Sequence, residues 1–151
     1  KASVESNGVI VNTPNYTLKN GILDEDWQYI VLQQQSSKSG FAATYELVPN
    51  LVEYVKENAT YKEVKLFWHM TWADAWESSN PEFSKFENDQ YIMYESVINA
   101  IKEEIVPNTD FVGIIPVGTA IQNVRTSYVG DTLTNDGHHL NTKGVFCLYF
   151  H

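Results

Sequence analysis

A single cysteine, Cys147, in 151 residues excludes an internal disulfide and any zinc site built on thiolates; standing alone, it reads as a small apolar core residue. Arginine is as scarce, with Arg125 the sole example, and ten Lys and Arg face nineteen Asp and Glu, a formal net charge of -9. Phosphate backbones and anionic lipid surfaces are held by clustered positive charge, so neither nucleic acid nor a membrane surface is expected as a partner, and substrates should be neutral or cationic. Long hydrophobic runs are missing too. No stretch approaches the roughly 20 apolar residues that a membrane span requires, Lys1 opens no signal-peptide pattern, and there is no repeat, low-complexity tract or linker.

What is present suits a folded domain. Hydrophobic residues make up 43% and aromatics 13% of the chain, ample for one core, so residues 1–151 are read as a single domain. Strand and helix patterns alternate along it. Tyr29-Ile30-Val31-Leu32 is a short apolar run ending in the polar Gln33-Gln34-Gln35-Ser36-Ser37, a buried strand running into a loop. Leu47, Val48, Leu51, Val52 and Val55 fall on one helical face, with Pro49 in the first turn. Val64 to Trp68 form a second strand, and Tyr94, Val97, Ile98, Ile101 and Ile105 stripe a helix that stops before Pro107. Phe111 to Ile115 form a third strand, residues 117–126 a short helix, and Lys143 to Phe150 the start of a last one. Strands separated by helices imply parallel βαβ units with the sheet covered on both faces. Gly8 to Asn12 is expected to add an edge strand.

The chemistry concentrates near the end of the chain, in Thr134-Asn135-Asp136-Gly137-His138-His139-Leu140. A carboxylate and an imidazole stand three residues apart around a glycine that permits a sharp turn. The Asp136 carboxylate can therefore reach Nδ1 of His139, fix its tautomer and stabilise its charged form, which is what a general base requires. In parallel sheets such chemistry gathers at the carboxyl ends of strands. The glutamine loop, the Trp68 to Trp76 segment and the Asp136 to His139 turn should thus converge on one rim.

Four blocks in order, Asp26-Trp27-Gln28-Tyr29-Ile30-Val31-Leu32-Gln33-Gln34-Gln35-Ser36-Ser37-Lys38-Ser39-Gly40, Met70-Thr71-Trp72-Ala73, Pro116-Val117-Gly118-Thr119-Ala120 and Asp136-Gly137-His138-His139-Leu140, resemble successive blocks of an SGNH (GDSL-type) hydrolase, most nearly an uncharacterised bacterial branch of that superfamily. The resemblance runs from about Trp27 to Leu140. It implies an α/β fold, a three-layer α/β/α sandwich with a parallel sheet, SGNH or flavodoxin-like. It also implies serine ester hydrolysis of acyl or acetyl groups, carbohydrate deacetylation among them, without metal or cofactor, at an extracytoplasmic location. By the same resemblance Asp136 is the orienting carboxylate and His139 the base. Gln35 stands where the family has its oxyanion-stabilising asparagine, with Gln34 the alternative one residue away, and Ser36 and Trp72 are placed at the substrate. The early Gly-Asp-Ser or Gly-Asn-Ser block that carries the family's nucleophile has no counterpart. The chain is therefore expected to be the later part of such a domain, without its first one or two βα units and stopping at His151 inside the final helix, its nucleophile outside these residues and its activity alone close to nil.

Other residues receive plainer readings. His138 is the alternative base and otherwise a solvent-facing loop residue; His69 is a hydrogen-bonded structural histidine. A zinc site from His69, His138, His139 and Asp136 lacks any helical or hairpin spacing to support it. Ser36, Ser37 and Ser39 are expected to cap the next helix rather than act as nucleophiles. Trp68 belongs to the core, while Trp72 and Trp76 suit a sugar-stacking wall. Arg125 is a structural charge that pairs with a loop carboxylate. Three function classes follow: an esterase, a glycan-binding module that kept the cleft without the chemistry, and an interaction module or homo-oligomer formed through an uncovered sheet edge.

Overall fold

The computed structural model describes residues 2–6 and 9–149. The side chain of Cys147, expected in the core, lies outside the described residues. Two compact units divide the chain, one of Lys1–Ile30 and Leu47–Lys65, the other of Val31–Glu46 and Leu66–His151.

In the first unit β1 (Ala2–Ser6) and β2 (Val9–Thr13) form an antiparallel two-stranded sheet with Val4 opposite Val11. The edge strand expected from Gly8 thus begins at Val9 among the described residues and joins β1 instead of the main sheet. A helix follows that the periodicity did not reveal, α1 (Leu18–Leu23). Six residues are too few for a periodic signal, but its start is marked chemically. The Thr17 hydroxyl accepts the Asn20 N–H at 3.1 Å and the Asn20 side chain accepts the Thr17 N–H at 3.0 Å, a reciprocal cap that satisfies two otherwise orphaned donors. Helix α2 (Val48–Asn58) carries Pro49 in its first turn as expected, buries Val48, Val52 and Val55, and packs against α1.

The second unit holds the loops that line the candidate site. Its sheet has the order β3 (Tyr29–Gln33), β4 (Lys65–His69), β5 (Phe111–Ile115). Strand β4 runs parallel to β5, with Phe67 opposite Gly113 and His69 opposite Ile115. Helices α3 (Gln90–Glu104), α4 (Val117–Arg125) and α5 (Thr142–Tyr149) complete an α/β architecture with a parallel three-stranded sheet and flanking helices. Central β4 is the buried strand, with Leu66 and Trp68 almost without exposure. The outer strands differ from the two-sided burial that their apolar runs imply. Tyr29 and Val31 of β3 and Val112 of β5 are about half exposed, alternating with buried or partly buried neighbours as on a sheet with one solvated face.

Trp68 anchors the core between Tyr45 and Phe111, both with ring centroids 5.5 Å away. Two further clusters flank the rim: Ala73, Phe83, Phe86 and Met93 on one side, and Val117, Ile121 and Leu133 with the half-buried Trp72 and Leu140 on the other. Gly118 at the start of α4 lets that helix press on the loop after β4. A Cβ there would stand 2.1 Å from the Thr71 carbonyl oxygen, and the Gly118 N–H donates to the Met70 carbonyl at 3.1 Å.

Candidate functional site

Three loops converge, as the strand order requires. Gln33 at the end of β3 and Ser36 after it, Thr71 and Trp72 after β4, and His138 and His139 from the connection between α4 and α5 line a cavity of about 190 Å³, all within the second unit.

The late connection is held as a tight hairpin. Thr134 bridges Leu140, the Asn135 N–H donates to the His139 carbonyl, and the Asn141 side chain donates to the carbonyls of Thr132 and Thr134. At its tip Gly137 adopts φ +82°, and a Cβ there would lie 2.5 Å from Cα of Ser78. No other residue meets both demands without strain. The turn folds Asp136 back as its spacing predicts. Oδ2 receives His139 Nδ1 at 2.7 Å, while Oδ1 accepts the backbone N–H groups of His139 and His138 at 2.7 and 2.9 Å. The imidazole hydrogen bond, followed by those two N–H groups, holds the Asp136 carboxyl well below the ordinary carboxylate range. Both side chains stay largely open to solvent, His139 by 75%, so its Nε2 is available to a reacting partner.

His138 does not face solvent as a plain loop residue. Its Nδ1 lies 2.8 Å from Oδ1 of Asp74, a carboxylate with no exposure at all. The other oxygen of Asp74 accepts the Ser78 hydroxyl and the Asn80 amide, each at 3.0 Å. Nε2 of His138 then points at Ser36, 3.4 Å from its Oγ. The rings of His138 and His139 meet edge to face at 4.7 Å, and Trp72 donates its indole N–H to the His138 carbonyl at 2.8 Å.

The glutamine loop gives its three side chains different surroundings. Gln34 spends its amide on the Thr44 carbonyl and hydroxyl at 2.8 and 3.1 Å, and its oxygen accepts the Gln35 N–H. Gln35, exposed like Gln33, does not line the cavity. The glutamine at the cavity is Gln33, because β3 extends one residue past the apolar run. Ser36 lines the cavity rather than capping the short 3-10 helix Ser36–Lys38, whose first turn has no side-chain cap.

Of the tryptophan wall only Trp72 reaches the cavity; Trp76 packs edge to face on Tyr91 at 5.5 Å. His69 buries its Nδ1 without a hydrogen-bond partner among the described residues, and burial lowers its pKa, opposed by a backbone hydrogen bond. Arg125 pairs through Nε with Asp131 at 2.7 Å and donates to the Ala73 carbonyl at 2.8 Å. Its desolvation, which lowers the pKa, is opposed by Asp131 and by Asp74. Among the described residues no group of three His, Cys, Asp or Glu side chains is arranged to hold a metal ion, and no helix is long and apolar enough to cross a membrane. Reasoning from sequence missed Asp74, Thr71 and Gln33. Asp74 follows the second block by one residue, and a carboxylate at a strand-end loop beside a histidine-rich turn was the available signal.

Comparison with known proteins adds relatives of the same shape. A family model described as a domain of unknown function, DUF4886, matches residues 2–149. The crystal structure of a DUF4886 family protein from Bacteroides uniformis is similar with 38% identity and a TM-score of 0.87 over 97% of this chain. The chain spans 58% of the length of that structure. A protein from Slackia heliotrinireducens, described as a proposed SGNH hydrolase, shares the fold with a TM-score of 0.54 at 18% identity, covering 89% of this chain and 71% of its own. No curated protein matches.

Proposed function

Starting from the fact that the chain belongs to the DUF4886 family and has an SGNH-like α/β fold, we propose that it contributes the base and orienting carboxylate of an SGNH-type serine esterase. The observation that carries this reading is the Asp136–His139 contact of 2.7 Å at a cavity rim built from three strand-end loops. The nucleophilic serine is supplied by residues other than these 151. Nε2 of His139 takes the serine proton, the oxygen attacks an ester carbonyl, and a side-chain amide stabilises the developing oxyanion. Gln33 takes that amide role in place of Gln35 or Gln34, since it alone of the three lines the cavity. Ser36 and Trp72 contact the substrate, a small acyl or acetyl ester, with carbohydrate esters favoured by the indole at the rim.

The test is hydrolysis of p-nitrophenyl acetate by this chain and by a version extended upstream. Turnover by the extended protein beyond that of this chain, with the added part reduced at least about 100-fold by His139→Ala, supports the reading. Turnover indifferent to His139 overturns it.

A further inference from the structure

The cavity contains a hydroxyl–imidazole–carboxylate array from which the proposed function takes only Ser36, as a substrate contact. Asp74 is fully buried, and a buried carboxylate persists only when donors converge on it. Ser78, Asn80 and His138 supply them. A carboxylate accepts and does not donate, so Nδ1 of His138 carries a proton, and in the neutral ring Nε2 is left with its lone pair facing Ser36 Oγ at 3.4 Å. The ring cannot easily turn away. Its residue is fixed by the Asp136 carboxylate on the backbone N–H and by Trp72 on the carbonyl. Nucleophile-to-base distances are commonly this loose before a substrate is bound.

One more observation points the same way. Thr71 lines the same cavity, and its buried Oγ1 has no hydrogen-bond partner among the described residues. Orphaned buried hydroxyls are rare enough to need a reason, and a donor held for an oxyanion is one.

We propose that Ser36, His138 and Asp74 form a complete acyl-accepting triad within this chain, independent of His139, with Thr71 as an oxyanion donor and small acyl esters as substrates. Ser36 Oγ bonds to the ester carbonyl carbon as its proton passes to His138 Nε2. The carbon–oxygen bond to the alcohol then breaks, and the departing oxygen takes that proton. Water, deprotonated by the same nitrogen, releases the acid and restores the serine. A fluorophosphonate arrests the first half: the Oγ–phosphorus bond forms, the phosphorus–fluorine bond breaks, and fluoride leaves.

The 151-residue chain is treated with a fluorophosphonate, and the adduct is located by peptide mass spectrometry and timed. Labelling at Ser36 that slows about 100-fold in His138→Gln, slows likewise in Asp74→Asn, and keeps its rate in Tyr128→Phe, at a fully exposed residue away from the cavity, is the expected result, with circular dichroism confirming that each variant is folded. His138→Gln decides the matter by itself where Asp74→Asn does not fold. Absence of a Ser36 adduct, or an adduct formed equally fast in His138→Gln, overturns the proposal. The readout needs no upstream sequence, so esterase activity of the extended protein that depends on His139 without a Ser36 adduct would sink this triad and leave the proposed function standing.

Discussion

Asp136 illustrates how much a local motif reveals at the scale of single residues. Its partners lie within three positions, so spacing alone foretold the contact with His139. Asp74 and His138 are 64 residues apart, and no local pattern brings them together before the sheet does. The depressed Asp136 pKa has a definite sign. Its folded value lies below its unfolded one, near 3.9, so the stabilisation is complete above about pH 4 and is lost as the pH falls through the lower folded value. An NMR titration of the Asp136 carboxyl should give a midpoint below that of an unpaired aspartate, and His139→Ala should move it upward. Arg125 offers a stability prediction. With its guanidinium buried against Asp131, Arg125→Met leaves that carboxylate, among the described residues, with the Trp76 N–H and the Gln90 amide. The loss should be about 3–5 kcal/mol, read as a lower urea midpoint.

Elements were legible where periodicity was long. Three strands and helices α2, α3, α4 and α5 stand within a few residues of their sequence-based bounds, because each has enough apolar positions to set a face. Helix α1 and the β1–β2 hairpin escaped. One is six residues long, and the other is announced by Asn7-Gly8 between its two runs, a hairpin signal that the edge-strand reading of Gly8 to Asn12 passed over. The glutamine loop was less legible, since β3 runs one residue past the apolar run and ends on Gln33, which lines the cavity. The turn between α4 and α5 gives the sharpest test at this scale. Gly137→Ala must adopt a positive φ and displace Ser78, so it should destabilise by about 1–3 kcal/mol. It should also shift the NMR signals of both His138 and His139, whereas Gly130→Ala, which has an open surrounding despite its own positive φ of +64°, should leave the two rings in place.

Taken whole, the molecule carries a formal charge of -9 and leaves Tyr29, Val31 and Val112 of the outer strands half exposed. The first property predicts no salt-dependent binding to a labelled DNA oligonucleotide at about 0.1 M salt, measurable by anisotropy. The second predicts weak self-association at high protein concentration through the open strands, which sedimentation would detect and Val31→Lys would suppress. The four tryptophans of the chain also differ in a useful way. Trp68 is sealed in the core, Trp27 and Trp76 are about 40–50% exposed, and Trp72 alone of the four has its indole tethered to the His138 carbonyl at the cavity wall. Replacing Trp27 and Trp76 by phenylalanine would therefore leave a built-in optical gauge, whose emission should report filling of the cavity without any attached dye.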